Sequence, residues 1–193
     1  MSKRLRKKPG GQIRITGGRW RSRRLTVPDV ASLRPSSDRT RETLFNWLGH
    51  DLTSLDCADL YAGTGALGLE ALSRGAASCV FVESSAIAVA ALRNSVSQLV
   101  ENPGQIQVLQ QSVDDWLAGQ EPSFDLVLAD PPFADGNWAA LLAGLSSRLR
   151  PGARVYLESP IDQQWVWPDS FSLQKESRVG EARLRLLGWA GSA

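Results

Sequence analysis

The stretch Cys57-Ala-Asp59-Leu-Tyr61-Ala-Gly63-Thr64-Gly65-Ala66-Leu67-Gly68, followed by the apolar run Ser78-Cys-Val-Phe-Val82 with Glu83 at its end, decides the fold class. It reads as a short strand, a glycine-rich turn, a helix over residues 65–74 stopped by Gly75, and a second strand. The same unit continues downstream, with helices over 85–100, 113–117 and 137–149, the last ended by Pro151-Gly152, and strands over 106–109, 124–129 and 153–157. Strands that alternate with helices predict a parallel sheet covered by helices on both faces. Residues 170–177 and 182–189, around Gly180, predict a closing antiparallel hairpin. Open parallel sheets bind ligands at the carboxyl ends of their strands. The polar side chains there are Asp59, Glu83, Ser112 and Asp130.

Upstream, residues 12–27 alternate polar and apolar around Gly17-Gly18, a hairpin signal with Arg14, Arg19, Arg21, Arg23 and Arg24 at polar positions. Residues 31–37 read as loop, and Asp38 as the N-cap of a helix with the stripe Leu44, Phe45, Trp47 and Leu48, stopped by Gly49. The first 41 residues carry thirteen lysines and arginines against two acids, a surplus of +11; the remainder carries nine against eighteen, −9, leaving +2 over 193 residues. A basic head on an acidic body points to a polyanionic partner, nucleic acid first. The length fits one domain, and 42% hydrophobic with 22% charged residues excludes disordered and collagenous chains. No run approaches the ~18 apolar residues of a membrane span, and no apolar run follows the basic first eight residues. Neither membrane association nor export is expected, which places the chain in the cytoplasm. Cys57 and Cys79 lie in apolar runs and are expected to be reduced and buried; with His50 the sole histidine and no ligand spacing, no metal site is expected.

Gly63, Gly65 and Gly68 form a literal G-x-G-x-x-G, and Glu83 follows 18 residues after Gly65. That pattern suits either a nicotinamide dinucleotide or S-adenosylmethionine, since both bring an adenosine ribose to an acid. Asp59 separates them. A pyrophosphate at that strand end would meet a carboxylate, whereas an ammonium and a sulfonium are both favoured there. Asp130-Pro131-Pro132-Phe133 follows the apolar run 124–129. The prolines fix the backbone and remove two donors. The Pro131 carbonyl and the Asp130 carboxylate then present two acceptors for an exocyclic amine, and accepting both hydrogens aims the nitrogen lone pair at an electrophile. Phe133 offers a ring face to a flat base or to a methyl sulfonium.

Three blocks together resemble the ribosomal small subunit methyltransferase D family, bacterial enzymes of guanine-N2 methylation in 16S rRNA (position 966). They are Gly11-Gln-Ile-Arg-Ile15 with Gly17-Gly-Arg-Trp-Arg21, the stretch Leu33-Arg34-Pro35-Ser-Ser-Asp38-Arg39-Thr-Arg41-Glu42 running on to Leu48, and Asp59–Gly75 with Asp130–Phe133. The resemblance covers roughly residues 11–160. It implies a Rossmann-like class I methyltransferase: α/β, with a seven-stranded, mostly parallel sheet, an antiparallel C-terminal hairpin and an N-terminal β-hairpin arm. It implies S-adenosylmethionine as cofactor, with Asp59, Gly63 and Gly65 at its methionine part, Glu83 at the ribose, Tyr61 also in the cofactor site, and Ser112-Val113 at the adenine, where relatives often carry Asp or Asn followed by Ala. Asp130, Pro131, Pro132 and Phe133 match the catalytic motif, and Arg14, Arg19, Arg21, Arg23, Arg24, Arg34, Arg39 and Arg41 would hold rRNA.

The expected organisation is a basic, disordered tail over 1–10 and a single domain over 11–193, divided into an RNA-binding arm (11–37) and a catalytic core (38–193). The expected function is S-adenosylmethionine-dependent methylation of a guanine N2 in 16S rRNA, on the rRNA or a small-subunit assembly intermediate, by a monomer. The Asp-Pro-Pro-Phe motif is equally at home in an adenine-N6 DNA methyltransferase. A non-catalytic nucleic-acid-binding module is the alternative outside enzymes, opposed by the intact series of acids and glycines. An NAD oxidoreductase is opposed by Asp59 and the cationic head.

Overall fold

A chain whose strands are near-continuous apolar runs must cover both faces of its sheet. In the computed structural model, which describes residues 11–26, 37–100, 103–119, 123–133, 136–164 and 166–191, both faces are covered. The elements are β1 (Gln12–Arg14), β2 (Arg24–Thr26), α1 (Asp38–Leu48), β3 (Asp56–Leu60), α2 (Ala66–Ser73), β4 (Ser78–Glu83), α3 (Ala86–Leu99), β5 (Ile106–Gln110), α4 (Val113–Ala118), β6 (Phe124–Ala129), α5 (Trp138–Leu145), β7 (Leu149–Pro160), β8 (Phe171–Val179) and β9 (Ala182–Trp189). The sheet runs β5-β4-β3-β6-β7-β9-β8. Pairings from β5 to β7 are parallel, and β9 pairs antiparallel with both β7 and β8. The expected seven-stranded, mostly parallel sheet is therefore present. No helix among the described residues is long and apolar enough to cross a membrane.

Alternate side chains of each strand feed opposite layers. Cys57, Phe81, Leu126, Leu128 and Tyr156 pack in the layer that holds α1, α2 and the β1–β2 ribbon. Ala58, Leu60, Val80, Val127, Val155 and Leu157 pack on the other, with Trp116 and Trp138. Gly68 is required by this packing: a Cβ there would come within 2.4 Å of the Phe81 ring and 2.8 Å of the Cys79 sulfur.

The expected N-terminal hairpin is present. Its strands are three residues long, paired Gln12↔Thr26, Ile13↔Leu25 and Arg14↔Arg24, and the connection is broader than a two-residue turn, bending at Gly17-Gly18 with the Arg21 N–H donating to the Gly18 carbonyl at 3.1 Å. The two glycines also lie against the end of α2. The Arg19 N–H donates to the Ser73 carbonyl at 2.7 Å, and the Ser73 hydroxyl donates to the Gly17 carbonyl at 2.6 Å. A Cβ on Gly18, which sits at φ 75°, would fall 1.9 Å from the Ser73 carbonyl oxygen, so both conformation and close approach require glycine there. The ribbon's apolar face (Ile13, Ile15, Trp20, Leu25) joins Leu44, Phe45, Leu69 and Leu72 in the core, so the ribbon is built into the domain rather than swinging from it.

Three smaller corrections concern element ends. Ser37 rather than Asp38 caps α1, its hydroxyl accepting from the Thr40 N–H at 3.1 Å. Helix α5 ends at Leu145 and passes through a 3-10 turn. Pro151-Gly152 does not stop a helix but sits inside β7, where pairing shifts from Phe124↔Leu149 to Leu126↔Arg154. Such an irregularity is where a strand admits Pro and a Gly at φ 82°.

Arg41, expected on the RNA-facing surface, is instead 1% exposed. Its guanidinium donates to Glu70 at 3.3 Å, to the Arg14 carbonyl at 2.7 Å and to Asp38 at 2.6 Å. Glu70, in the middle of α2, is wholly buried and also accepts from Arg74 at 2.8 Å and from the backbone N–H and hydroxyl of Thr16. One carboxylate thus joins α1, α2 and the ribbon. Removing one member of a buried ion pair leaves the other's charge uncompensated. Glu70→Ala is expected to cost about 3 kcal/mol or more, read as a lower urea midpoint with the denaturant slope unchanged.

Candidate active site

The carboxyl ends of β3 to β7 open on a single cleft of about 1270 Å³. It lies where the strand order reverses, between β3 and β6, with the glycine loop on one side and Asp130–Phe133 on the other. The loop is wound through left-handed conformations at Tyr61 (φ 59°), Gly63 (φ 54°) and Gly65 (φ 74°). Only the two glycines adopt these without side-chain strain.

Asp59 sits deep in the cleft, 2% exposed, and its Oδ2 accepts from the Gly68 N–H at 2.8 Å. It therefore caps the first turn of α2 from the neighbouring strand while facing the cavity. Burial pushes its carboxyl well above the usual carboxylate range, and the charges of Asp130 and Glu83 push it further, against the pull of the Gly68 bond. Glu83 accepts from the Gly63 N–H at 2.8 Å through Oε2 and from the Ser85 N–H at 2.7 Å through Oε1. It pins the glycine loop, and each carboxylate oxygen keeps a second acceptor site. Burial, then Asp114, raises the Tyr61 hydroxyl.

Asp130, Pro131, Pro132 and Phe133 line the opposite wall, with Pro131 buried and Phe133 41% exposed. Ser112 and Val113 are both at the cleft, but the Ser112 hydroxyl is engaged as the N-cap of α4. It accepts from the Asp115 N–H at 3.0 Å and bonds the Asp115 carboxylate at 2.6 Å. What this position presents as packing surface is buried Val113.

Of the cationic residues singled out in the sequence, Arg14, Arg19, Arg21, Arg23, Arg24 and Arg39 are exposed. Arg14 lies 3.8 Å from Asp38, at the start of α1, whose Ser37 and Thr40 form part of the cleft wall. The basic surface and the cleft thus meet at that helix end. Arg34 lies outside the described residues, as does the 1–10 tail.

The sequence reading missed Asp114, Glu158 and Glu181, which also line the cleft. Glu158 follows the strand predicted over 153–157, so the strand-end rule that selected the other acids would have selected it too. Among the described lining residues there are six acids and no lysine or arginine. That composition and the burial of Asp59 favour a cationic occupant and oppose a phosphate.

The pH dependence of stability follows from the sign of the Asp59 shift. With its folded value above the ordinary 3.8, Asp59 binds more protons folded than unfolded. Stability therefore declines as pH rises from about 3.8 through the folded value. Asp59→Asn keeps an acceptor for Gly68 and removes the charge. Thermal melts without ligand should give a higher Tm for the variant near neutral pH, with the gain shrinking as pH falls towards 3.8.

Comparison with known proteins agrees with this architecture. Residues 13–188 match the family described as Conserved hypothetical protein 95. The chain is 39% identical to ribosomal RNA small subunit methyltransferase D of Escherichia coli K12, over 91% of this chain and 89% of that protein. It is 37% identical to the Haemophilus influenzae protein of the same name, over 91% and 93%. Among solved structures, a putative methyltransferase from E. coli superposes with a TM-score of 0.85 at 36% identity, covering 94% of this chain and all, 100%, of that one. A T. thermophilus 16S rRNA N2 G1207 methyltransferase in complex with AdoMet and guanosine superposes with a TM-score of 0.67 at 25% identity, over 93% of this chain and 50% of that one. Matches that span the ribbon, the glycine loop and the closing strands alike leave one placement: the chain belongs to the ribosomal RNA small subunit methyltransferase D family.

Proposed function

We propose that the protein methylates the exocyclic N2 amine of a guanine in 16S rRNA, using S-adenosylmethionine. The observation that carries this reading is the placement of Asp130-Pro131-Pro132-Phe133 across one acidic cleft from Asp59 and Glu83. The residues fit the cofactor: Asp59 faces the space an ammonium would take, Glu83 offers acceptors for ribose hydroxyls, and Val113 and Leu117 give apolar surface for an adenine. Bound there, S-adenosylmethionine supplies an electrophilic methyl group on a cationic sulfur. The solved 16S rRNA methyltransferase that shares the fold holds AdoMet and guanosine, which supports both halves of the assignment.

The chain's own part is positioning and electrostatics. Asp130 and the Pro131 carbonyl accept the two amine hydrogens, which turns the nitrogen lone pair out of conjugation and towards the methyl donor. Pro132 holds that turn, and the exposed Phe133 ring gives the base a face to stack on. As the new N–C bond forms, the methyl's bond to sulfur would break, its electron pair leaving with a neutral thioether; the amine becomes cationic, and Asp130 stabilises that charge before the surplus proton leaves to solvent. A base can reach this wall only when taken out of its stack. Arg14, Arg19, Arg21, Arg23, Arg24 and Arg39, all exposed, hold the surrounding phosphates. Arg41 has no part in this; it belongs to the buried network. The target is position 966, on an assembling small subunit in the cytoplasm, and a monomer suffices because one chain supplies the whole cleft.

Two measurements check the reading. The first is transfer of labelled methyl to small-subunit rRNA from cells lacking the protein, with the modified nucleoside identified. N2-methylguanosine is expected, and Asp130→Ala should slow transfer at least ~100-fold, about 3 kcal/mol in the transition state, with cofactor affinity little changed. Near-normal turnover removes Asp130 from the role. The second concerns the ribbon. With about six phosphates neutralised, log affinity for rRNA should fall against log salt with a slope of roughly −4 to −5. Reversing Arg19, Arg21 and Arg23 to Glu should weaken rRNA binding and flatten that slope, leaving cofactor binding intact.

A further inference from the structure

Glu158 is a buried acid at the cleft that the account above does not use. It is 5% exposed and lies in β7, beside β6. The parallel register of β6 and β7 ends at Ala129↔Leu157, and Asp130 and Glu158 are the next residues of these two neighbouring strands. Both line the same cavity. Glu158 is held firmly. The Tyr156 hydroxyl, itself fully buried, donates to its Oε1 at 2.9 Å, and the Trp138 indole N–H donates to its backbone carbonyl at 2.7 Å. The Tyr156 hydroxyl is pushed up by its burial, then by Glu158, with Asp130 adding to it.

A second acceptor beside the amine-holding Asp130 faces whatever atom flanks the amine on the base. In guanine the 2-amine lies between N3, which carries a lone pair, and N1, which carries a hydrogen, so an acceptor beside the amine is satisfied on the N1 side. In adenine and cytosine the ring nitrogen beside the amine carries a lone pair. A carboxylate at that point is matched to guanine and repels the other two. Resting on the reading of this cleft as a guanine-N2 methyl-transfer site, we propose that Glu158 accepts the N1–H of the target guanine and is the residue that restricts the reaction to that base. Tyr156 acts through Glu158 as a positioning residue, fixing which oxygen faces the base. This role would separate the chain from adenine-N6 enzymes with the same Asp-Pro-Pro-aromatic turn, because the distinction lies on the adjacent strand rather than in that motif.

The test uses the full chain and small-subunit RNA carrying either guanine or 2-aminopurine at the methylated nucleotide. 2-Aminopurine keeps the 2-amine but has a lone pair at N1. Wild-type protein should favour guanine at least about 100-fold in kcat/KM, since a buried group built to hydrogen-bond one partner is left unpaired by the other. Glu158→Gln, whose amide can donate to a lone pair, should narrow that ratio at least about tenfold while S-adenosylmethionine affinity stays the same. Loss of the O6 atom affects both proteins alike and cancels when the ratios are compared. A purely structural role would slow both acceptors equally, and an unchanged ratio overturns the proposal. So does equal turnover of the two acceptors by wild-type protein, a result that needs no variant. If Glu158→Gln does not fold, Tyr156→Phe keeps the carboxylate but removes the hydroxyl that donates to its Oε1. The same ratio should then narrow several-fold, and an unchanged ratio again overturns the assignment. The wild-type product keeps the two claims apart. N2-methylguanosine upholds the methyl-transfer reading whatever the ratios, whereas label in another nucleoside overturns both.

Discussion

The buried carboxylate of Glu70 holds together parts of the molecule that sequence order keeps apart. It receives Arg41 from α1, Arg74 from its own helix and Thr16 from the ribbon. Two of its partners are charged and nearly buried, with side chains 1% and 7% exposed, so no member could be left alone without a desolvation penalty of several kcal/mol. An apolar triad of the same volume could be as stable. What the ionic version adds is direction, because a carboxylate with five donors around it fits in one arrangement only. Helix α2 begins at the glycine loop and ends against Gly17 and Gly18. Fixing that helix therefore fixes the spacing between the cleft at one end and the arginine ribbon at the other.

How legible this was in the sequence depends on the range of the interaction concerned. Strand β6 was read to the residue, because Phe124–Ala129 is a continuous apolar run and its register needs no partner to be recognised. The acids at the strand ends were found because the fold class says where to look. Arg41 was misassigned because a charge within a basic segment looks solvated. Nothing local shows that Glu70, 29 residues away, is waiting in the core. The Gly17-Gly18 pair carries the signal of a turn, and a second constraint on Gly18, the Ser73 carbonyl more than fifty residues on, has no local sign. Pro151-Gly152 reads as a helix stop for the same reason that it can occupy a strand irregularity: in both places the chain has no ladder bond to lose. Ser112 was found at the cleft, where its hydroxyl also caps α4 through Asp115. Each miss is a local signal with two structural causes, and only tertiary contact selects between them.

The distribution of charge explains how such a protein can handle a polyanion at all. Lined by six acids and no base among the described residues, the cleft repels phosphate. Holding Asp59 there costs stability, since burial and its acidic neighbours oppose its ionisation. Six exposed arginines, Arg14, Arg19, Arg21, Arg23, Arg24 and Arg39, lie on the ribbon and at the start of α1, where Arg14 meets Asp38 at the edge of the cleft. In the proposed reaction this division sorts the nucleotide by its parts. The phosphates are held outside by charge, and a neutral base is not rejected by the acidic wall. Inside, the same carboxylates that exclude phosphate become acceptors for the N–H groups of guanine and attractors for a cationic methyl donor. One electrostatic arrangement thus governs what enters, how it is oriented and which cofactor it meets.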